Sequence, residues 1–312
     1  CGQYFCGQLD FKNHRLDASS MKNDISRRAS LLHLSSLSLA EKMKSGSFRS
    51  LYRGRGIEFS GVREYLRGDD VRAIDWNVTA RMGKPFVKVF EEERELDVFI
   101  VADASLSMCV GTSQQTKIEK AMECASLLTL ASFYNSSPVG AVVFDGELEF
   151  FCSPESGKKH SLMLLSHFEL DRKKQKAGSV LDSALRGAEK LLKKRSLVFV
   201  ISDFRAAEWH ASFARLCQKN DVIAINIVDS SDDNIPSVGS VLFADPETGY
   251  EAVLPTSSQK FIRGWREENE QRKENWFKEC VRHGGIPLFI STVQDPAAEL
   301  IKFFSSRHRH SF

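Results

Sequence analysis

Short apolar runs, each followed by a stretch with helical spacing, constrain the fold of this chain more than any other feature. Residues 96–101, 139–144, 197–201, 222–228 and 288–293 are apolar almost throughout and rich in β-branched side chains. A strand that is apolar on both sides of its pleat needs cover on both faces, which is the condition of a parallel sheet flanked by helices. The intervening segments supply that cover. In residues 117–134, Ile118, Ala121, Met122, Ala125, Leu128 and Ala131 recur at helical spacing, and helices are expected over 159–168, 180–194, 209–218, 258–283 and 297–304. The longest of these stops at Gly284-Gly285, with its apolar stripe expected at Phe261, Trp265 and Phe277. Residues 148–152 are expected to pair beside 139–144, and residues 241–254 to form a hairpin. The expected fold is an α/β, doubly wound, mostly parallel sheet of Rossmann-like winding, preceded by a small β-rich subdomain.

Three segments follow from the texture of the chain. Residues 1–46 are expected to be an N-terminal extension, partly disordered or helical, with a weak helix over 25–44 carried by Leu31, Leu32, Leu34, Leu37 and Leu39. Residues 47–95 form a small β-rich unit, because glycines at 54, 56, 61, 68 and 83 punctuate short strand-like runs dense in charge. Residues 96–312 form the α/β domain. The first residue, Cys1, fits an incomplete reading frame, a truncated product or a processed, lipid-bearing end, the first two being the expected ones. No run approaches the roughly 18 apolar residues of a spanning helix, so a cytoplasmic protein without a membrane span is expected.

Charge and cysteine usage exclude more than they assign. A formal net charge of +2 gives no overall argument for nucleic acid. The basic, serine-rich stretch up to Arg55 reads as a solvated tail. Seven scattered cysteines without a C-x-x-C pair read as thiols in a reducing compartment rather than a zinc site.

Polar residues at strand ends carry the chemistry. In an open α/β sheet, ligands bind beyond the carboxyl ends of the strands. Asp103-Ala104-Ser105-Leu106-Ser107 directly follows the first run, Ser179 stands before the helix starting near 180, and Asp203 follows the run at 197–201. Alternating oxygens in D-x-S-x-S, completed by a further hydroxyl and a second carboxylate, suit a hard cation such as Mg²⁺, with Mn²⁺ or Ca²⁺ as alternatives. The absence of His and Cys from these clusters disfavours zinc. Taken singly, an Asp at a strand end is often only a cap, and Ser is common in turns. Three such clusters in this order favour a site.

The D-A-S-L-S run at 103–107 resembles the metal-ion-dependent adhesion site of von Willebrand factor type A domains. That resemblance implies a von Willebrand factor type A-like fold, with Ser179 in the position of the family's Thr and Asp203 completing the ligand set. The longer run R-G-R-G-I-E-F-S-G-V-R-E-Y-L-R-G-D-D-V-R-A-I-D-W-N-V-T-A-R, residues 53–81, is similar to the signature of the bacterial "domain of unknown function 58" family, and P-F-V-K-V-F-E-E-E-R-E-L continues it. The resemblance implies a chaperone-like or complex-assembly role beside a MoxR-type AAA+ ATPase.

Read physically, the signature balances arginines against carboxylates, and Asp70 is placed to cap a short helix containing Val71, Ile74 and Trp76. Asp75, Trp76 and Arg81 are the residues expected to meet a partner protein. The expected function is a metal-dependent binding module, not an enzyme, whose cation leaves one position for an acidic side chain of the partner. The alternative is a metal-dependent hydrolase of phosphate esters or nucleic acid, with Asp103 and Asp203 holding a water-activating metal; it lacks an evident general acid or base.

Overall fold

A computed structural model describes residues 32–44, 56–93, 96–109, 111, 115–170, 178, 180–206, 208–235, 237–244 and 250–306. Its centre is a six-stranded sheet built from β3 (Val98–Asp103), β4 (Val139–Phe144), β5 (Leu148–Glu155), β6 (Leu197–Ser202), β7 (Asp221–Val228) and β10 (Ile286–Ser291). The spatial order is β10-β7-β6-β3-β4-β5. Every pairing is parallel except β4 with β5, which closes one edge antiparallel. The winding therefore reverses between β3 and β6, the position at which open α/β sheets bind ligands.

Alternation along β3 explains why the apolar runs are unbroken. Val98, Ile100 and Ala102 join one buried cluster, while Phe99 and Val101 join the other. The first cluster is covered by α1 (32–44), α3 (Lys117–Tyr134), α4 (Lys158–Phe168) and α9 (Pro296–Ser306). The second is covered by α5 (Leu181–Leu191), α6 (His210–Lys219) and α8 (Gln259–Arg282). Helix α3 is started by a capping box, in which Thr116 and Glu119 satisfy each other's backbone N–H.

Two expected apolar faces are rotated from their predicted positions. In α1, Leu39, Ala40 and Met43 are buried, whereas Leu34 and Leu37 face solvent. In α8, Phe277 is exposed and Trp276 and Cys280 are buried instead. One residue is 100° of helix, and the sheet takes the side on which Trp276 stacks against Phe204 and Phe289. The ends of α5 also differ: Leu192 is already extended, so the helix stops before 194. The hairpin at 241–254 is present as β8 (Ser240–Ala244) and β9 (Glu251–Pro255), its turn lying outside the described residues. Among the described residues no helix is long and apolar enough to cross a membrane.

The β-rich segment is a two-stranded antiparallel arm, β1 (Gly56–Glu64) on β2 (Phe86–Glu93), with a bulge between Phe59 and Gly61. Its far end is helical. Asp70 caps only a 3-10 turn, Val71–Ala73, rather than the helix predicted for it. Ile74 then becomes extended and bridges to Val87, so the helix α2 (Trp76–Met82) starts afresh with Asp75 as its cap.

Candidate metal site at the strand ends

Asp103 is the last residue of β3, and Ser202 the last of the adjacent β6, so the sheet register brings them together. Asp103 is buried, and both of its oxygens are engaged. Oδ1 accepts from the Ser105 backbone N–H at 2.9 Å, and Oδ2 accepts from the Ser202 hydroxyl at 2.5 Å. The chain then turns through a 3-10 segment, Leu106–Cys109, which places the Ser105 and Ser107 hydroxyls 3.1 Å apart.

Asp203 directly follows β6 and is buried. Its Oδ1 accepts from the Arg205 backbone N–H at 3.2 Å, and its buried Oδ2 accepts no hydrogen bond among the described residues. The turn that aims it is an unusual one. Phe204 adopts φ 52°, a left-handed conformation unfavourable for a bulky residue by about 1–2 kcal/mol. Burial of the Phe204 ring against Trp209 and Trp276, each with centroids 5.2 Å away, offsets that cost. The Phe204 N–H donates to the Ser202 hydroxyl at 2.9 Å, so one serine ties both aspartate turns together.

Electrostatics mark the pair. Burial, followed by the charge of Asp203, pushes the Asp103 carboxyl up to about 7, against the hydrogen bonds from Ser105 and Ser202. A carboxyl whose ionisation is opposed by burial and by the Asp203 charge, beside two serine hydroxyls and the buried Asp203 carboxylate, makes a donor set that fits a divalent, oxygen-seeking cation. Among the described residues no group of three or more His, Cys, Asp or Glu side chains is gathered as a metal cluster; a cation here would draw on the serine hydroxyls as well.

A layer of charge lies behind Asp203 that sequence reasoning missed. Lys117, at the start of α3, is buried with its Nζ 3.0 Å from Asp232 and 3.6 Å from Asp203 Oδ2. Arg205 lies 3.4 Å from Asp203 and 2.5 Å from Asp232. Burial works to raise the Asp232 carboxyl, but Lys117 and Arg205 outweigh it and hold it below its ordinary value. The Asp232 carbonyl accepts from the Trp265 and Asn269 side chains of α8. Asp232 lies four residues beyond β7, within the helical turn Ser230–Asp233, so the strand-end rule that found Asp203 points to Asp229 instead. Lys117 carries no such signal, because a lysine in the first turn of a helix reads as solvated.

The remaining predicted residues are separated from this site or lie outside the description. Ser179 is outside the described residues; its neighbour Val180 donates its N–H to the Asp145 carbonyl at 3.3 Å, tying that loop to the β4–β5 turn. Asp75, Trp76 and Arg81 sit together on α2 of the arm. Asp75 accepts from the Asn77 and Val78 backbone N–H groups and serves the helix as its cap. Trp76 and Arg81 face solvent.

The model of a family described as protein of unknown function DUF58 matches residues 61–275. An uncharacterised protein of Mycobacterium tuberculosis is 27% identical over 302 residues, covering 93% of this chain and 94% of that one, and an uncharacterised protein of Mycobacterium bovis matches to the same extent. Among solved structures, an aerotolerance-related membrane protein from Bacteroides fragilis aligns at 19% identity, 68% of this chain, 98% of that chain and a TM-score of 0.44. The SpRpn10 VWA domain aligns at 11% identity, 67% of this chain, 94% of that one and a TM-score of 0.38.

Proposed function

The chain belongs to the family of proteins of unknown function DUF58, and from that premise we propose that it is a metal-ion-dependent protein-binding module. One arrangement supports the reading: Asp103 ends β3 and Asp203 follows the adjacent β6, on either side of the winding reversal, with the Ser105 and Ser107 hydroxyls on the turn after Asp103. Asp103, Ser105, Ser107 and Asp203 would hold Mg²⁺ or Mn²⁺, with Ser179 contributing the hydroxyl of the neighbouring loop. A divalent cation held there supplies an open coordination position for a carboxylate of the partner.

The chain's own residues prepare that encounter. Ser202 and the Ser105 N–H fix the Asp103 carboxylate in one orientation, as the outer partners of a metal ligand do. Lys117 and Arg205 compensate Asp232 and lower the net negative charge felt at Asp203, which weakens cation binding and leaves the cation electrophilic toward a partner's acid. On this reading no side chain of the site acts as a catalyst.

The resemblance to MoxR-associated proteins makes a MoxR-type AAA+ ATPase the first partner to test, in a chaperone-like or complex-assembly role. The test is capture of the purified ATPase by this chain in Mg²⁺, in EDTA, and with Asp103→Ala. Capture in Mg²⁺ that fails in both other conditions supports the reading; capture indifferent to both contradicts it.

A further inference from the structure

The tip of the β1–β2 arm presents apolar side chains to water on a framework cross-linked by its polar side chains. Leu66, Val71, Trp76 and Met82 are 65%, 63%, 69% and 62% exposed, all within 17 residues. Scattered single apolar residues are ordinary on a surface, but a concentration of this kind marks an interaction site, and an exposed Trp is a characteristic binding anchor.

The framework beneath them is well specified. Arg63 clasps Asp69 through two bonds of 2.7 Å, and Asp69 also accepts the Leu66 N–H at 2.8 Å. Asp70 and Asp75 cap the two helical turns, Glu64 pairs with Lys84 at 3.1 Å, and the Thr79 hydroxyl accepts the Phe86 N–H at 2.9 Å. Ile74 and Val87 form the small buried contact between tip and strand.

These bonds engage every carboxylate of residues 63–84. Arg67, Arg72 and Arg81 are left without an ion-pair partner among the described residues. Each of them adjoins one of the exposed apolar residues: Leu66-Arg67, Val71-Arg72 and Arg81-Met82. The tip thus exposes four large apolar side chains together with three guanidinium groups free to take a carboxylate in bidentate fashion.

The geometry points to this tip as a docking surface for an acidic amphipathic segment of a partner protein. The segment's apolar side chains cover Trp76 and its neighbours, and its carboxylates meet Arg67, Arg72 and Arg81. A lipid surface fits less well. Five cations (Arg63, Arg67, Arg72, Arg81, Lys84) stand among four carboxylates (Glu64, Asp69, Asp70, Asp75), whereas anionic membranes attract clusters of basic residues that acids do not cancel.

The surface takes no residue of the metal constellation. Measured in EDTA, its failure leaves the metal reading untouched. The test uses the full chain with two fluorescent synthetic helical peptides that share a Leu/Trp face, one bearing Glu and the other Lys on the opposite face. Fluorescence anisotropy should show the Glu peptide binding at least about tenfold tighter, a difference near 1.4 kcal/mol. Trp76→Ala should weaken that binding about tenfold, and Arg72→Glu with Arg81→Glu should reverse the preference between peptides. These positions are exposed, so unchanged circular dichroism verifies that the variants fold. Equal affinity for the two peptides, or binding indifferent to Trp76→Ala and to the charge reversal, overturns the proposal. So does Trp76-dependent sedimentation with phosphatidylglycerol vesicles in place of peptide binding.

Discussion

Lys117 and Asp232, 115 residues apart in the chain, form a buried ion pair in which the ammonium lies 3.0 Å from each carboxylate oxygen. The pair joins the first turn of α3 to the segment after β7, directly behind Asp203. Removing one partner of a buried pair leaves an uncompensated charge, at a typical cost of about 3–5 kcal/mol. Lys117→Met is expected near the low end of that range, because Arg205 still reaches Asp232. Urea unfolding of Lys117→Met, Asp232→Asn and the double variant should give a double loss smaller than the sum, with coupling of about 1–3 kcal/mol. Strict additivity would show that the two side chains do not act as a pair.

The raised Asp103 carboxyl makes stability depend on pH in a definite direction. Its value of about 7 in the folded chain lies above the ordinary 3.8, so the native state holds this proton more tightly than the unfolded chain does. The contribution is complete below about pH 4 and is lost as pH rises through 7, on the order of a few kcal/mol in all. In EDTA, the urea midpoint should fall between about pH 4 and 7, and Asp103→Asn should flatten that part of the profile. Saturating Mg²⁺ should also flatten it, because a nearby cation favours the ionised carboxylate. A wild-type profile identical to that of Asp103→Asn would contradict this assignment.

Trp276 supports the turn that carries Asp203. Its ring packs on Phe204 and on Phe289, whose centroid is 4.7 Å away, and its buried Nε1–H has no acceptor among the described residues. Trp276→Ala is expected to cost about 3–5 kcal/mol and to weaken cation binding by loosening Phe204. Trp276→Phe keeps aromatic contact and removes the unsatisfied donor, itself a penalty of about 1–3 kcal/mol, so its net cost should stay below about 1.5 kcal/mol. Thermal unfolding of the two variants separates these outcomes, and equal losses would refute the role given to the ring.

Gly140 fixes how closely the antiparallel edge strand approaches β4. A Cβ there would come within 2.7 Å of the Pro154 backbone nitrogen and 2.9 Å of the Cys152 carbonyl oxygen. Backbone cannot give way as a flexible side chain can, so Gly140→Ala should destabilise by about 1–3 kcal/mol. Because Gly140 lies near the start of β4, at the opposite end of the strand from Phe144, which pairs with Asp103, cation affinity of the folded fraction should be unchanged. Calorimetric unfolding and cation titration of the same sample test both halves of that statement.

The strands were legible because burial on both faces leaves an unbroken apolar run, as in 197–201, with nothing to confuse its period. The strand-end aspartates were legible for the same reason: Asp103 and Asp203 are abrupt charges where such runs stop. Helix faces were less so. Phe277 and Trp276 are adjacent and both aromatic, and only the direction from which the sheet approaches decides which is buried. Lys117 was illegible because its burial depends on Asp232, more than a hundred residues away. Asp75 was read as a contact residue, and its local task, the cap of α2, was not read from the sequence.

The central claim is that Asp103, Ser105, Ser107 and Asp203 hold a divalent cation, and calorimetric titration of Mg²⁺ and Mn²⁺ into the purified chain tests it most directly. The account predicts one site in the wild type, none in Asp103→Ala, and an unfolding transition showing that the variant remains folded. Saturable binding of equal strength in both proteins, or no binding to a wild type that is demonstrably folded, would contradict it.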